Sequence, residues 1–472
     1  MSGMSSRPGP NARTVRPNVS QDAVLVIPGI MGSTLRDTAS GMTLWGFDRL
    51  RSYARMWCRS QSSLATLMVT DDEREGRYGR IAATGLLKFP AYAPFLHGFE
   101  PYTTLLRRLR DVVADPAAIG EFAYDWRLPV EYNARLLASA ARAHLDGWRA
   151  HPGHHEMLRQ RPHLRPARMV LVAHSMGGLL VRGLPPDSDL DIRAIVTLGT
   201  PFDGAAKAAL MLNSGCDAPI PLPRRQLRDL AATLPGVHDL LPAYRCLDDG
   251  EHDPRRLTPT DVAAIGGDAT LAAASFDLHR RTSTRPLAGH HAVIGTSQST
   301  VQSLSLRDGI LTGRLHTFAL DPAGDVERDQ HGILVRFDDF GDGTVPRNSA
   351  TLGSPATLPQ QHGALAQTSE AIETVCNVIT ERATDAPRLG DSELGLDVPD
   401  VVTPGREWAA AVTGVEGPND ASCVVSDEQG RPIDHPPLHR RDGVWQATIV
   451  LPEPGIYRVI LNGGGTSAIT NL

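Results

Sequence analysis

Short apolar runs punctuate the chain at Ala23–Ile27, Met169–Ala173, Ile192–Leu198 and His291–Gly295. Runs of this length predict strands buried on both faces of a sheet, and the first is ended by the turn pair Pro28-Gly29. Between the runs lie helical patterns. Leu137, Ala141, Leu145 and Trp148 recur at spacings of four, four and three, which places them on one helix face. Strands alternating with helices predict a mostly parallel sheet covered on both sides, an α/β architecture.

Two stretches break the alternation, at about 36–97 and 203–290. Both are rich in Arg, Pro and Gly with scattered apolar residues. Excursions of that length in a compact domain are expected to be lid or cap insertions. Residues 1–22, with Pro8, Pro10 and Pro17, read as a disordered arm. Residues 23–385 then form the main α/β domain, and 386–404 read as a linker. From 405 to 472 the pattern turns to short alternating segments, at Trp408–Val415, Ala421–Ser426, Gly443–Leu451 and Gly455–Leu461. They predict a small all-β, sandwich-like module.

Composition narrows the function classes. With 472 residues, 41% hydrophobic, the chain can bury one large core and a smaller one. A net charge of -6 and a pI near 6.3 argue against a nucleic-acid partner, which needs a basic face. No apolar stretch approaches the ~20 residues of a spanning helix, and the N-terminal arm has no signal-peptide pattern. A cytoplasmic protein is the expectation. Cys58, Cys216, Cys246, Cys376 and Cys423 are scattered, with no C-x-x-C pair, so free thiols are expected rather than a disulfide framework or zinc site. Nothing in the sequence sets the oligomeric state.

The chemistry is concentrated in MVLVAHSMGGLLVRGL. Here Ser175 sits between an apolar strand and an apolar helix, in a variant of the G-x-S-x-G elbow with Ala173 first and Gly177 last. Small residues suit a turn so tight that its neighbours nearly touch, and the strained serine is pushed out above the sheet. This is the arrangement of an α/β-hydrolase nucleophile. A serine hydroxyl needs a base oriented by a carboxylate, and in this fold both follow the serine, acid first. Asp342, in Gly341-Asp342-Gly343, is the candidate acid, with Asp338 and Asp339 as rivals. His362 is the candidate base, because it follows the acid and precedes a helical pattern at Ser369–Thr380. The rivals His279, His290, His291, His316 and His331 all precede Asp342. The oxyanion hole needs two backbone N–H donors; Met176 and Ile30 are the candidates, with Met31 an alternative to Ile30. His151, His154 and His155 read as a solvated surface rather than a metal site. No metal or cofactor is required.

These segments together resemble the lecithin:cholesterol acyltransferase family, which includes lysosomal phospholipases and phospholipid:diacylglycerol acyltransferases. The matching pieces, in the family's order over roughly residues 22–380, are VLVIPGIMGSTL, YDWRLP, AHSMGG, LGTPFDGA, HAVIGTSQST and GDGTVP. The resemblance implies an α/β-hydrolase with a Ser175–Asp342–His362 triad and oxyanion donors at Ile30 and Met176. It also implies transfer of a fatty acyl chain from a phospholipid to the serine, then to an alcohol or to water. A lipid or other ester is therefore the expected partner, with transient contact to a membrane surface. Met56-Trp57 and Leu64–Val69 are candidate interfacial anchors, a buried lid contact being the alternative. Two other functions stay in view: an esterase for small soluble esters, and a catalytically silent hydrolase fold used for binding.

Overall fold

The computed structural model describes residues 19–46, 65–88, 102–214, 224–250, 252–307, 310–382, 394–399, 402–427, 431–451, 453, 455, 457–463 and 466–471. At its centre is a six-stranded, all-parallel sheet of β1 (Ala23–Ile27), β2 (Ile119–Glu121), β3 (Met169–His174), β4 (Ile192–Leu198), β5 (His290–Gly295) and β6 (Ala356–Leu358). The order across the sheet is β6-β5-β4-β3-β1-β2. Every residue of β1 and β3 is buried, as runs flanked by strands and covered by helices must be. Their register, Ala23 beside Met169 through Ile27 beside Ala173, brings the ends of both strands to one level.

Helix α1 (Val130–Arg149) packs on β1 and buries Leu137, Ala141, Leu145 and Trp148, the stripe expected from their spacing. Helix α2 (Met176–Arg182) follows β3 directly, and α3 (Ser369–Ile379) packs on β4 and β5. Among the described residues no helix is long and apolar enough to cross a membrane.

The two expected insertions take different forms. In the first, Ser33–Asp37, Thr43–Trp45 and Ile81–Leu86 make a three-stranded antiparallel sheet. In the second, between β4 and β5, the described part is mostly short helices, from Ala206–Ser214 to Ala269–Thr282. Of the candidate interfacial anchors, Met56, Trp57 and Leu64 lie outside the described residues, whereas Leu67 and Val69 are buried in the main core. Arg127 explains that inward path, because its guanidinium donates to the carbonyls of Leu67 and Met68. Of residues 1–22, Ser20 pairs with Val113, and Asp22 is buried against Arg165 and Arg193.

The C-terminal region forms two four-stranded antiparallel sheets with a separate apolar core. Ala421–Ser426 is a strand as expected. Part of the expected linker is not linker: Gly395–Asp397 is an edge strand paired with Glu407–Thr413, and Leu394, Leu396 and Val398 enter the core. Cys246, Cys376 and Cys423 are free and buried; Cys58 and Cys216 lie outside the described residues.

One buried ion cluster ties the first insertion to the main domain. Arg127, with no exposed side-chain surface, bridges Glu73 at 2.8 Å and Asp125 at 2.7 Å. Burial alone would raise the Glu73 pKa. Hydrogen bonds from Arg127, the Thr70 amide and Arg80 outweigh it and hold the carboxyl down at about 2. Removing one partner of such a cluster strands buried charge, so Arg127→Met should cost about 3–5 kcal/mol in denaturant unfolding. A depressed carboxylate contributes stability above its unfolded pKa and loses it on acidification. The penalty of Glu73→Gln should therefore shrink as pH falls from the ordinary glutamate range towards about 2.

Candidate active site

All the elements of the site emerge at the C-terminal edge of the parallel sheet, where open α/β sheets form their crevice. β3 ends at His174, and Ser175 turns the chain into α2 with φ 53° and ψ −128°, a conformation strained for any residue with a Cβ. The Ser175 amide is tied to the Leu198 carbonyl at 2.8 Å, and the Ser175 carbonyl accepts from the Gly178 amide at 2.9 Å. The turn is thus fixed on both sides. The loop after β1 comes so close to the turn that a Cβ on Gly29 would lie 2.8 Å from the Cβ of Ser175, so only glycine fits at position 29.

The structure brings Ser175, His362 and Asp342 together. Ser175 Oγ lies 2.8 Å from His362 Nε2, and His362 Nδ1 lies 2.7 Å from Asp342 Oδ2. All three residues are buried. The other carboxylate oxygen of Asp342 accepts from the amides of Thr344 and Val345, at 3.0 and 2.6 Å. The His362 amide donates to the Asp342 carbonyl at 2.8 Å, which locks the two residues into one unit. Gly199, at the end of β4 with φ +57°, passes beneath that unit. A Cβ there would stand 3.0 Å from Asp342 Oδ2 and 3.1 Å from His362 Nδ1.

Ile30 and Met176 are also at the site. Ile30 lines a cleft with Ser175, and Met176 is the first residue of α2. The loop that carries Ile30 is pinned from outside. Tyr124 Oη donates to the Pro28 carbonyl at 3.0 Å, Trp45 Nε1 to that of Met31 at 2.7 Å, and Trp126 Nε1 to that of Ser33 at 3.4 Å. The YDWR run therefore both buries the Arg127 ion cluster and holds the loop after β1. The cleft, about 420 Å³ with its open mouth, is walled by Pro201, Ala205, Ala208, Met211, Leu240 and Val345, with Lys207 and Thr344 alongside.

The rival acids and bases stand elsewhere. Asp338 accepts from Gln302 and the Phe340 amide, His279 bonds the Asp239 carbonyl, and His290 bonds Thr197. His154, expected on a solvated surface, is buried. It is held between the Arg149 carbonyl and the Ala167 amide, beneath the ring of Trp148. His151 caps the helix Pro152–Gln160. Pro201, Ala205, Thr344 and Val345 lie within LGTPFDGA and GDGTVP, whereas Tyr102, Ala208, Met211 and Leu240 carried no signal in the sequence. His174 lay inside the elbow motif but had no assigned role.

The fold is that of an α/β-hydrolase, with separate antiparallel β sheets in its C-terminal region. The chain is similar to the lecithin:cholesterol acyltransferase family, whose model matches residues 96–256, a stretch that holds the YDWR run, Ser175 and LGTPFDGA. That match supports activity as a lipid acyl ester hydrolase or acyltransferase. Asp342 and His362 lie beyond the matched stretch.

No curated protein matches the chain in a sequence search. Among solved structures, the Tle4–Tli4 complex contains a chain 16% identical, with a TM-score of 0.45 over 78% of this chain and 99% of that one. The Bacillus licheniformis lipase BlEst2 in its propeptide form is 12% identical, with a TM-score of 0.32 over 98% of this chain and 75% of that one. Its mature form is 11% identical, with a TM-score of 0.32 over 79% and 96%.

Gly199→Ala, the smallest change that adds a Cβ, should cost some stability at this positive φ and push His362 and Asp342 out of line. A misplacement of about 1 Å costs about 10²-fold in rate. Ester turnover compared with a thermal melt tests this, and wild-type turnover would contradict the assigned close approach.

Proposed function

We propose that the protein is a serine-dependent acyl ester hydrolase or O-acyltransferase acting on lipids through an acyl-enzyme on Ser175. The observation that carries this reading is the unbroken chain Ser175–His362–Asp342, at 2.8 and 2.7 Å, beside an apolar cleft. His362 Nε2 takes the Ser175 proton as Oγ attacks the ester carbonyl. Asp342, oriented by two amides that donate to its other oxygen, stabilises the resulting imidazolium. The amides of Ile30 and Met176 receive the developing oxyanion. His362 then protonates the departing alcohol, and the acyl chain stays on Ser175 with its tail along the cleft. Water or a second alcohol, deprotonated by His362, resolves the acyl-enzyme.

The walls of the cleft support an acyl rather than a polar occupant, since Ala205, Ala208, Met211 and Leu240 offer only apolar surface. In this reading residues 23–385 carry the chemistry, and the C-terminal sheets are an accessory module.

A fluorophosphonate probe should label the wild-type protein, and Ser175→Ala should abolish labelling. Asp342→Asn, which leaves the base in the wrong tautomer, should lower turnover by about 10⁴-fold. Lipid products measured by mass spectrometry should appear with wild type and not with Ser175→Ala. A folded wild-type protein that is not labelled would favour a silent binding module, and turnover confined to short soluble esters would favour the small-ester reading. Ala208→Leu narrows the cleft, so kcat/KM for long-chain esters should fall about 10-fold or more while acetyl esters are little affected. Equal losses for both chain lengths would remove the acyl tail from the cleft.

A further inference from the structure

We propose that Tyr102 and His174 form a hydrogen-bonded relay that sets the oxyanion loop and the base in register, making both of them positioning residues for acyl transfer. The inference rests on the reading of Ser175 as nucleophile. Three contacts define the relay. The Gly29 amide donates to Tyr102 Oη at 2.8 Å, Tyr102 Oη lies 2.9 Å from His174 Nδ1, and His174 Nε2 lies 3.0 Å from the His362 carbonyl.

The protons along this path have only one consistent arrangement. A carbonyl oxygen can only accept, so His174 Nε2 carries the hydrogen. Nδ1 of the neutral ring is then a lone pair, and the Tyr102 hydroxyl must donate to it. The tyrosine oxygen is left to accept from Gly29. Both side chains are buried, Tyr102 completely, so no solvent competes for these bonds.

The two ends of the relay are the two parts of the site that must stay aligned. Gly29 directly precedes Ile30, the proposed oxyanion donor, and His362 is the proposed base. β3 supplies the rigid connection, because His174 is its last residue and Ser175 the next. One strand end therefore orients the nucleophile through its backbone and the other two groups through a side chain. The His174 and His362 rings stand 5.1 Å apart. A second cation there would oppose the imidazolium formed during catalysis. Burial, with a further contribution from His362, brings the His174 pKa down to about 3, against the opposing hydrogen bond to the His362 carbonyl. Its ring stays neutral while His362 cycles.

The test compares full-length wild type, Tyr102→Phe, His174→Ala, His174→Gln and the double variant Tyr102→Phe/His174→Ala. Each is assayed for fluorophosphonate labelling rate, for kcat and KM on a p-nitrophenyl ester, and for thermal melting. Tyr102→Phe should lower the labelling rate and kcat by about 10- to 100-fold with KM nearly unchanged, and lower the melting temperature modestly because the Gly29 amide and His174 Nδ1 lose a buried partner. The double variant should lose no more than His174→Ala alone, as expected for residues acting as one unit. His174→Gln, whose amide can still reach the His362 carbonyl, should recover part of the loss and supplies the same reading if Tyr102→Phe does not fold. Labelling of Tyr102→Phe at the wild-type rate, or a double loss equal to the product of the single losses, would overturn the relay alone. A folded wild-type protein that resists labelling would instead overturn the nucleophile reading on which the relay rests.

Discussion

The backbone of Ser175, held at φ 53° and ψ −128°, is the constraint on which the site depends. An L-residue does not rest there unless its surroundings enforce it. Three features of the fold do so. β3 is buried along its whole length between β1 and β4, the Ser175 amide is bound to the end of β4, and α2 begins at once. The tightness of that turn forces the next requirement, that the loop after β1 carry a glycine at position 29, where a Cβ would collide with Ser175. The loop is closed by a bond from the Gly32 amide to the Gly29 carbonyl and anchored from outside by Tyr102, Tyr124, Trp45 and Trp126. Chain segments far apart in sequence are thus bound to one geometric problem.

Asp342 and His362, the proposed acid and base, obey the same logic from the other side of the crevice. Asp342 keeps one oxygen for two backbone amides and the other for His362, so its orientation is fixed at both oxygens. The His362 backbone is tied at its amide to Asp342 and at its carbonyl to His174. Gly199 gives this pair room. Motifs that look unrelated in the sequence, LGTPFDGA and GDGTVP, meet here: one supplies the space and the other the carboxylate.

Much of this was legible in the sequence, for identifiable reasons. β1 and β4 were readable to the residue, because strands buried on both faces show as apolar runs with abrupt ends. The partners of Ser175 were readable from chain order, since Asp342 and then His362 follow the serine. β2 and β6, at three residues each, are too short to show a pattern. The edge strand Gly395–Asp397 was hidden by flanking Asp, Gly and Pro, although Leu394, Leu396 and Val398 alternate correctly for a half-buried strand. His154 was misplaced because its neighbours are polar, and only the fold brings Trp148 and Ala167 against it. Tyr102 could not have been found at all. A tyrosine before an ordinary amphipathic helix carries no mark of the 73 residues across which its hydroxyl bonds.

The proposed chemistry turns on one covalent event, an acyl group carried on Ser175 Oγ. Its most direct test is to mix the protein with phosphatidylcholine vesicles containing one defined fatty acyl chain and quench in acid within the first turnover. Intact-protein and peptide mass spectrometry then read the result. The expected outcome is a mass increase equal to that acyl group, mapped to the peptide containing Ser175, absent from Ser175→Ala and cleared with time. Lipid cleavage by a folded protein with no such adduct, or with cleavage unchanged in Ser175→Ala, would contradict the acyl-enzyme and the role given to the strained turn.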